Sequence, residues 1–139
     1  MPVFPSKEWF DAAIAIANAD PEAVKAGLGW VGAIGAVALP EGPLAEPFVI
    51  YLRPQDGRLD DLRILSDADE LEALAPAYLA SAPYSVWKGL LAGTVDPIEA
   101  VLRRRLTLQG DLTQVIERAR YKDFTQRVLS KVPTSFLDD

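Results

Sequence analysis

Apolar residues recur at helical spacing soon after the chain begins. Trp9, Ala13, Ile16 and Ala17 share one face, and Phe10 and Ile14 widen it. Ser6 stands before this run as a helix cap, with Glu8 placed where a negative charge complements the helix dipole. Asp20-Pro21-Glu22 repeats the start signal, a cap followed by proline at the first helical position, and Gly27 ends this short second helix. The period then changes. Trp30 to Leu39 reads as a strand, apolar on both faces and rich in small residues: Gly32, Ala33, Gly35, Ala36 and Ala38. Pro40, Gly42, Pro43 and Pro47 mark a loop. Phe48 to Arg53 alternates, with Phe48, Ile50 and Leu52 on one face and Val49, Tyr51 and Arg53 on the other. Pro54-Gln55-Asp56-Gly57 has turn chemistry, and Leu59 to Leu65 alternates again with Leu62 and Ile64 inward. The three segments predict an antiparallel meander.

The second half is more helical. Ser66 to Glu72 is acidic and fits a loop or one helical turn. Pro76 to Ser81 fits a strand or more helix, because its alanines favour neither. Pro83 opens a helix carrying Trp87, Leu90 and Leu91, which Gly93 ends. Asp96-Pro97 opens another, with Ile98, Val101 and Leu102 as its inner face. Leu106 to Leu108 is strand-like; Gly110 breaks it and Asp111 caps a long last helix. That helix carries two stripes. Leu112, Val115, Ile116 and Ala119 form one, while Tyr121, Phe124, Val128 and Val132 fall on a different face at about 100° per residue. Either the helix breaks near residues 120–123, or the second stripe meets a partner chain, a ligand or another part of the same domain.

Composition narrows the chemistry. A chain of 139 residues has room for one domain with a sizeable core. It contains no cysteine and no histidine, which excludes disulfides, thiolate chemistry, imidazole or thiolate metal sites and histidine-activated nucleophiles. The 14 basic against 20 acidic residues leave a net charge of −6, which opposes nucleic-acid binding and firm docking on anionic lipid. No uncharged run, Ala26 to Pro40 included, reaches the roughly 20 apolar residues of a membrane span, so no stable membrane insertion is expected. Met1 to Pro5 lacks a basic stretch followed by an apolar one, and the expected location is the cytoplasm.

The short motifs carry little catalytic content. Gly27-Leu28-Gly29-Trp30-Val31-Gly32 matches the dinucleotide fingerprint in letters, but a helical segment enters it and a strand leaves it, the reverse of what pyrophosphate binding needs. Counted from Asp67, a calcium loop needs glycine sixth and glutamate twelfth; Glu72 and Tyr78 stand there. Asp67, Asp69, Glu70 and Glu72 then read as a solvated acidic segment, and Asp60-Asp61 as a strand end. Arg103-Arg104-Arg105 closes a helix, where cations suit the dipole; Arg105 is also the candidate for meeting a ligand headgroup. No catalytic residue, metal ligand or cofactor site is assigned. The small residues between Trp30 and Leu39 leave space beside the sheet for a close-packed helix or an apolar ligand.

The segment Ser81 to Leu112, SAPYSVWKGLLAGTVDPIEAVLRRRLTLQGDL, resembles the sterol carrier protein 2 family of small lipid-binding domains. It shows an apolar helix through Leu91, then Gly93, Asp96-Pro97, a second helix, Arg105-Leu106 where the family usually has lysine first, and Gly110-Asp111. FPSKEWFDAAIAIAN resembles the N-terminal helix of bacterial and archaeal members, and KVPTSF their C-terminal end. The resemblance implies an α/β fold of the α+β kind. About five mostly antiparallel strands form a single layer, covered by helices on one face, with an elongated apolar cavity between the layers. Pro76–Ser81 then becomes a strand and Leu106–Leu108 the last one. The implied function is non-catalytic binding or transfer of fatty acids, fatty acyl-CoAs or sterol-like lipids. An alternative is an accessory or dimerising domain that presents a substrate to a separate enzyme. Candidate cavity residues are Ile34, Phe48 and Ile50 from the strands and Trp87, Leu90, Leu91, Ile98 and Leu102 from the middle helices. The last helix adds Val115, Ile116 and Ala119, and the displaced stripe adds Phe124 and Val128 as a lid or a homodimer contact.

Overall fold

The computed structural model describes residues 1–111, 113–114, 117 and 128–139. In chain order these build β1 (Val3–Phe4), α1 (Lys7–Ala19), α2 (Pro21–Gly27), β2 (Ile34–Leu39), β3 (Phe48–Gln55) and β4 (Arg58–Leu65). Then follow α3 (Ala68–Leu74), β5 (Tyr78–Pro83), α4 (Tyr84–Ala92), α5 (Pro97–Leu102), β6 (Thr107–Gln109) and β7 (Ser135–Phe136). The caps act as the sequence predicts. The Ser6 hydroxyl accepts from the Trp9 N–H at 3.2 Å, and the Asp20 and Asp96 carboxylates each accept from two N–H groups of the turn they open.

The main sheet has the order β4-β3-β2-β5-β6, antiparallel except where β2 meets β5. One row across it reads Ile64, Ile50, Ala36, Ala80, Leu108, large at the margins and small in the middle. Trp87 packs over the small centre and donates its indole N–H to the Val37 carbonyl at 3.0 Å. This face carries α1, α4 and α5. The opposite face, with Val37, Val49 and Tyr51, is covered by α3 through the buried Leu71. A Cβ on Gly35 would sit 2.7 Å from the Leu71 side chain, so glycine is what lets α3 approach. The acidic Ser66–Glu72 segment is thus largely helix: Asp67 caps it at 2.9 Å from the Glu70 N–H, and Asp69 and Glu70 occupy the first turn.

Three departures from the pattern have local causes. The strand expected from Trp30 begins only at Ile34, because Gly32 turns the chain at φ +111° and Trp30 leaves the sheet to pack on Tyr78. Where β3 pairs with β4 the register shifts between Tyr51 and Arg53, and β4 bulges there, with Asp61 in the left-handed region at φ 53° and salt-bridged to Arg53 and Arg63. This bulge breaks the expected alternation and turns Leu59 toward the α1 face with Ile64. In α5 the inner residue is Ala100, 1% exposed, while Ile98 and Leu102 are 52% and 77% exposed. The chain turns back immediately after this short helix, with the Arg105 and Leu106 N–H groups bonded to the Ala100 carbonyl, and Leu106 takes the inner place.

The chain ends are joined in a way the pattern did not announce. β1 and β7 pair in parallel, Phe4 opposite Phe136. Phe4, Trp9, Tyr84 and Val132 form a buried cluster there. The Tyr84 hydroxyl donates to Asp138 at 3.1 Å and accepts from the Leu137 N–H at 3.2 Å, while the Lys88 ammonium reaches Asp138 at 2.8 Å. Burial, then the Asp138 bond, pushes the Tyr84 hydroxyl pKa up. The Lys88 hydrogen bond is the main cause holding the Asp138 carboxyl below its usual range. A depressed carboxylate pKa stabilises the fold above the unfolded range, about 3.9, and that contribution is lost as pH falls through the folded value. Asp138→Asn is therefore expected to lower the urea midpoint at neutral pH, with the gap to wild type closing in acid. An equal gap at both ends of a pH series of urea melts would contradict this reading.

Candidate ligand-binding site

Helix α1 crosses the sheet with its two ends held and its middle thin. At one end the Trp9 indole N–H donates to the Thr134 hydroxyl at 2.9 Å, and Phe10 stacks on Phe48 with ring centres 5.8 Å apart. At the other end Asn18 pairs with Leu59 as a strand neighbour would: its amide N–H donates to the Leu59 carbonyl at 2.9 Å and its oxygen accepts the Leu59 N–H at 2.8 Å. Between them the positions of α1 that line the space below it are Ala13, Ile14 and Ala17, the two alanines four residues apart on one stripe. A helix propped at its ends with alanine between leaves a void. It measures about 400 Å³ and runs along α1 from Trp9 to Asn18, roughly 14 Å at 1.5 Å per residue.

The floor is Ile34 and Leu52, with Pro54, Gly57 and Leu59 toward the β3–β4 turn. Ala23, Ala26 and Gly27 of α2 roof that end, and Val128 and Leu129 line the other. Trp30 closes a side. Its indole N–H is satisfied by the Gly32 carbonyl at 3.0 Å. The backbone of the neighbouring Val31 is gripped at both N–H and C=O by the Gln114 amide at 3.1 Å, and Gln114 also bonds the Tyr78 hydroxyl. Both lining tryptophans thus spend their donors on other partners and offer the cavity ring carbon. None of the described lining residues is ionisable, and Asn18 has its carbonyl and one amide N–H already committed to Leu59.

Such a site can exclude water from an uncharged apolar body and little else. It offers no acid, base or nucleophile among its described residues. Among the described residues there is also no group of three or more carboxylates placed to hold a metal ion. The perturbed Tyr84, Lys88 and Asp138 are not part of the lining.

The candidate residues fall in several places. Ile34 and Val128 line the cavity. Ile50 is buried on the same sheet face and Phe48 backs Phe10, but neither is in the lining. Trp87 and Leu91 pack in the terminal cluster, and Leu90 packs with Ala82 and Val86. Ile98, Leu102 and Arg105 are exposed and outside the lining, because α5 shows the core Ala100 instead. Val115, Ile116, Ala119 and Phe124 lie outside the described residues, as do Leu112 and Tyr121 of the two stripes. Residues that sequence reasoning passed over include Asn18, Trp30, Leu59 and the α2 alanines. The signal available in α1 and α2 was alanine at 13, 17, 23 and 26, each half-buried.

No family model matches this sequence, and no curated protein does. Solved structures do. A conserved hypothetical protein from Thermus thermophilus, whose description suggests a sterol carrier protein, aligns over 94% of this chain and 90% of its own, at TM-score 0.74 and 18% identity. A crystal structure of sterol carrier protein 2 aligns over 92% of this chain and 98% of its own, at TM-score 0.76 and 18% identity. The palmitated sterol carrier protein 2 like 2 from Aedes aegypti aligns over 81% of this chain and 89% of its own, at TM-score 0.52 and 11% identity. The chain has the sterol carrier protein 2 fold.

Asn18→Ala removes both bonds to the Leu59 backbone at a partly buried edge. The expected loss is about 1–3 kcal/mol, read from urea unfolding. A loss below about 0.5 kcal/mol, ordinary for a surface change, would show that this pairing does not prop α1.

Proposed function

We propose that this chain is a member of the sterol carrier protein 2 family and a non-catalytic carrier of lipid-like molecules. The observation that carries this reading is the cavity: about 400 Å³, with no ionisable group among its described lining residues. Its size lies at the lower part of the range typical of small-molecule sites, roughly 300–1,000 Å³. The fitting ligand is a fatty acid, a fatty acyl-CoA or a sterol-like molecule, with its apolar part inside and its polar end at the surface, since the described lining supplies no countercharge. A palmitated protein of the same fold supports an acyl chain as one occupant. Each enclosed methylene contributes about 0.8 kcal/mol, so a modest chain suffices for micromolar affinity after ordering costs. The place of action is the cytoplasm on this reading. No described helix is long and apolar enough to cross a membrane, and the net charge of −6 opposes lasting attachment to anionic lipid.

Native mass spectrometry of freshly purified protein, followed by denaturing extraction, tests the reading. A stoichiometric apolar adduct, or uptake of palmitic acid by the apo form, is expected. A clean apo mass with no uptake of fatty acid, acyl-CoA or sterol would end it and favour an accessory domain that presents a substrate to another enzyme. Ala17→Leu provides a paired check. It fills part of the void beside Asn18, so palmitate affinity is expected to fall about tenfold while thermal stability holds or rises. Unchanged affinity would place the ligand elsewhere.

A further inference from the structure

Helix α2 is unlike the other walls of the cavity. It lines the void with Ala23, Ala26 and Gly27, yet none of its residues is buried. Its visible ties are at its two ends. At the first, the Asp20 carboxylate accepts from the Glu22 and Ala23 N–H groups at 2.9 and 3.3 Å, while the Asp20 N–H donates to the Ala17 carbonyl at 3.2 Å. One residue therefore links α1 to α2. At the second, α2 rests backbone against backbone on the β3–β4 hairpin. A Cβ on Gly27 would lie 3.0 Å from the Gly57 carbonyl oxygen, and a Cβ on Gly57 would lie 2.1 Å from the Val24 carbonyl oxygen.

Gly57 meets two separate demands. Gln55 pairs with Arg58, so Asp56 and Gly57 form a two-residue turn, with φ 53° and 82°. Such a turn takes asparagine as well as glycine at its left-handed positions. The seat for α2 takes only a residue without Cβ. Glycine alone satisfies both, and Gly27 and Gly57 are themselves part of the cavity lining. The far end of the cavity is built differently. Trp9 and Val128 there are buried, beside Phe4 and Val132 and the β1–β7 pairing. One end is thus set in the core and the other is set by a backbone contact at the surface.

We propose that the Gly57 seat fixes the position of α2 and thereby the length of apolar chain that the cavity encloses, which makes Gly57 a positioning residue for ligand selection. The inference rests on the reading of this cavity as the ligand site. Gly57→Asn in the full chain keeps the turn but forces α2 off the hairpin. Asp56→Ala is the control: it strains the same turn and adds no atom toward α2. Binding of lauric, myristic, palmitic and stearic acid is measured by calorimetry for all three proteins. In Gly57→Asn the preference is expected to move toward the longer acids, by about fourfold for each methylene that gains cover. Asp56→Ala is expected to lower the melting temperature and keep the wild-type order. An unchanged preference in Gly57→Asn, or an equal shift in the control, would overturn the proposal. Amide hydrogen exchange gives a readout that needs no ligand. Residues 24–28 are expected to exchange faster in Gly57→Asn than in wild type, with α1 unchanged, and equal exchange would show that the seat does not position α2. If wild type takes up none of the four acids, ligand selection fails together with the carrier reading, and the exchange result still decides whether Gly57 seats the helix.

Discussion

Helix α1 is held away from the sheet, and the site depends on that separation. Trp9 and Phe10 are wedged at one end by the Thr134 bond and the stack on Phe48, and Asn18 is tied to the Leu59 backbone at the other. Packed interiors tolerate voids poorly, since each lost contact forfeits attraction. The space of about 400 Å³ here is partly open to solvent, and closing it would require breaking the supports at both ends of the helix. An apolar occupant would restore the missing contacts, so stability and binding are coupled through the same alanines.

The chemistry of the site follows from where its polar atoms are used. The indole N–H groups of Trp9 and Trp30 bond Thr134 and Gly32, and Asn18 serves the backbone of an edge strand. What remains facing the void is carbon. One set of groups with perturbed ionisation, Tyr84, Lys88 and Asp138, lies instead where the C-terminal strand is fastened beside β1. The acidic groups thus help to hold the frame, while the cavity selects by size and apolarity. The side chains that give it room, Ala13, Ala17, Ala23 and Ala26, have no polar atom to exchange with a ligand.

Much of the frame was legible because caps and turns are local. Ser6, Asp20, Asp96 and Asp56-Gly57 each name their element from a few neighbouring residues, and the structure uses all four. The floor of the site was partly legible: Ile34 stood among the candidate cavity residues, and the alternation of β3 put Leu52 on one face with Phe48 and Ile50. What escaped depends on contacts between distant residues. The bulge at Asp61 brought Leu59 to the cavity and broke a period-2 reading. The burial of Ala100 instead of Leu102 follows from the chain reversing after α5. The pairing of β1 with β7 joins residues more than a hundred positions apart through two-residue strands, too short to carry a pattern. Alanine in α1 and α2 is ambiguous by nature, since it marks either close packing or space, and only the distance between helix and sheet decides which.

The most direct test of a ligand site beneath α1 is a crystal structure of the protein grown with palmitic acid. A continuous chain of density is expected between α1 and the sheet, passing Ala13 and Ala17 over Leu52 and beside Trp30, with the carboxylate outside the described lining. Palmitate bound elsewhere on the molecule, with α1 collapsed onto Leu52 and the space closed, would contradict it.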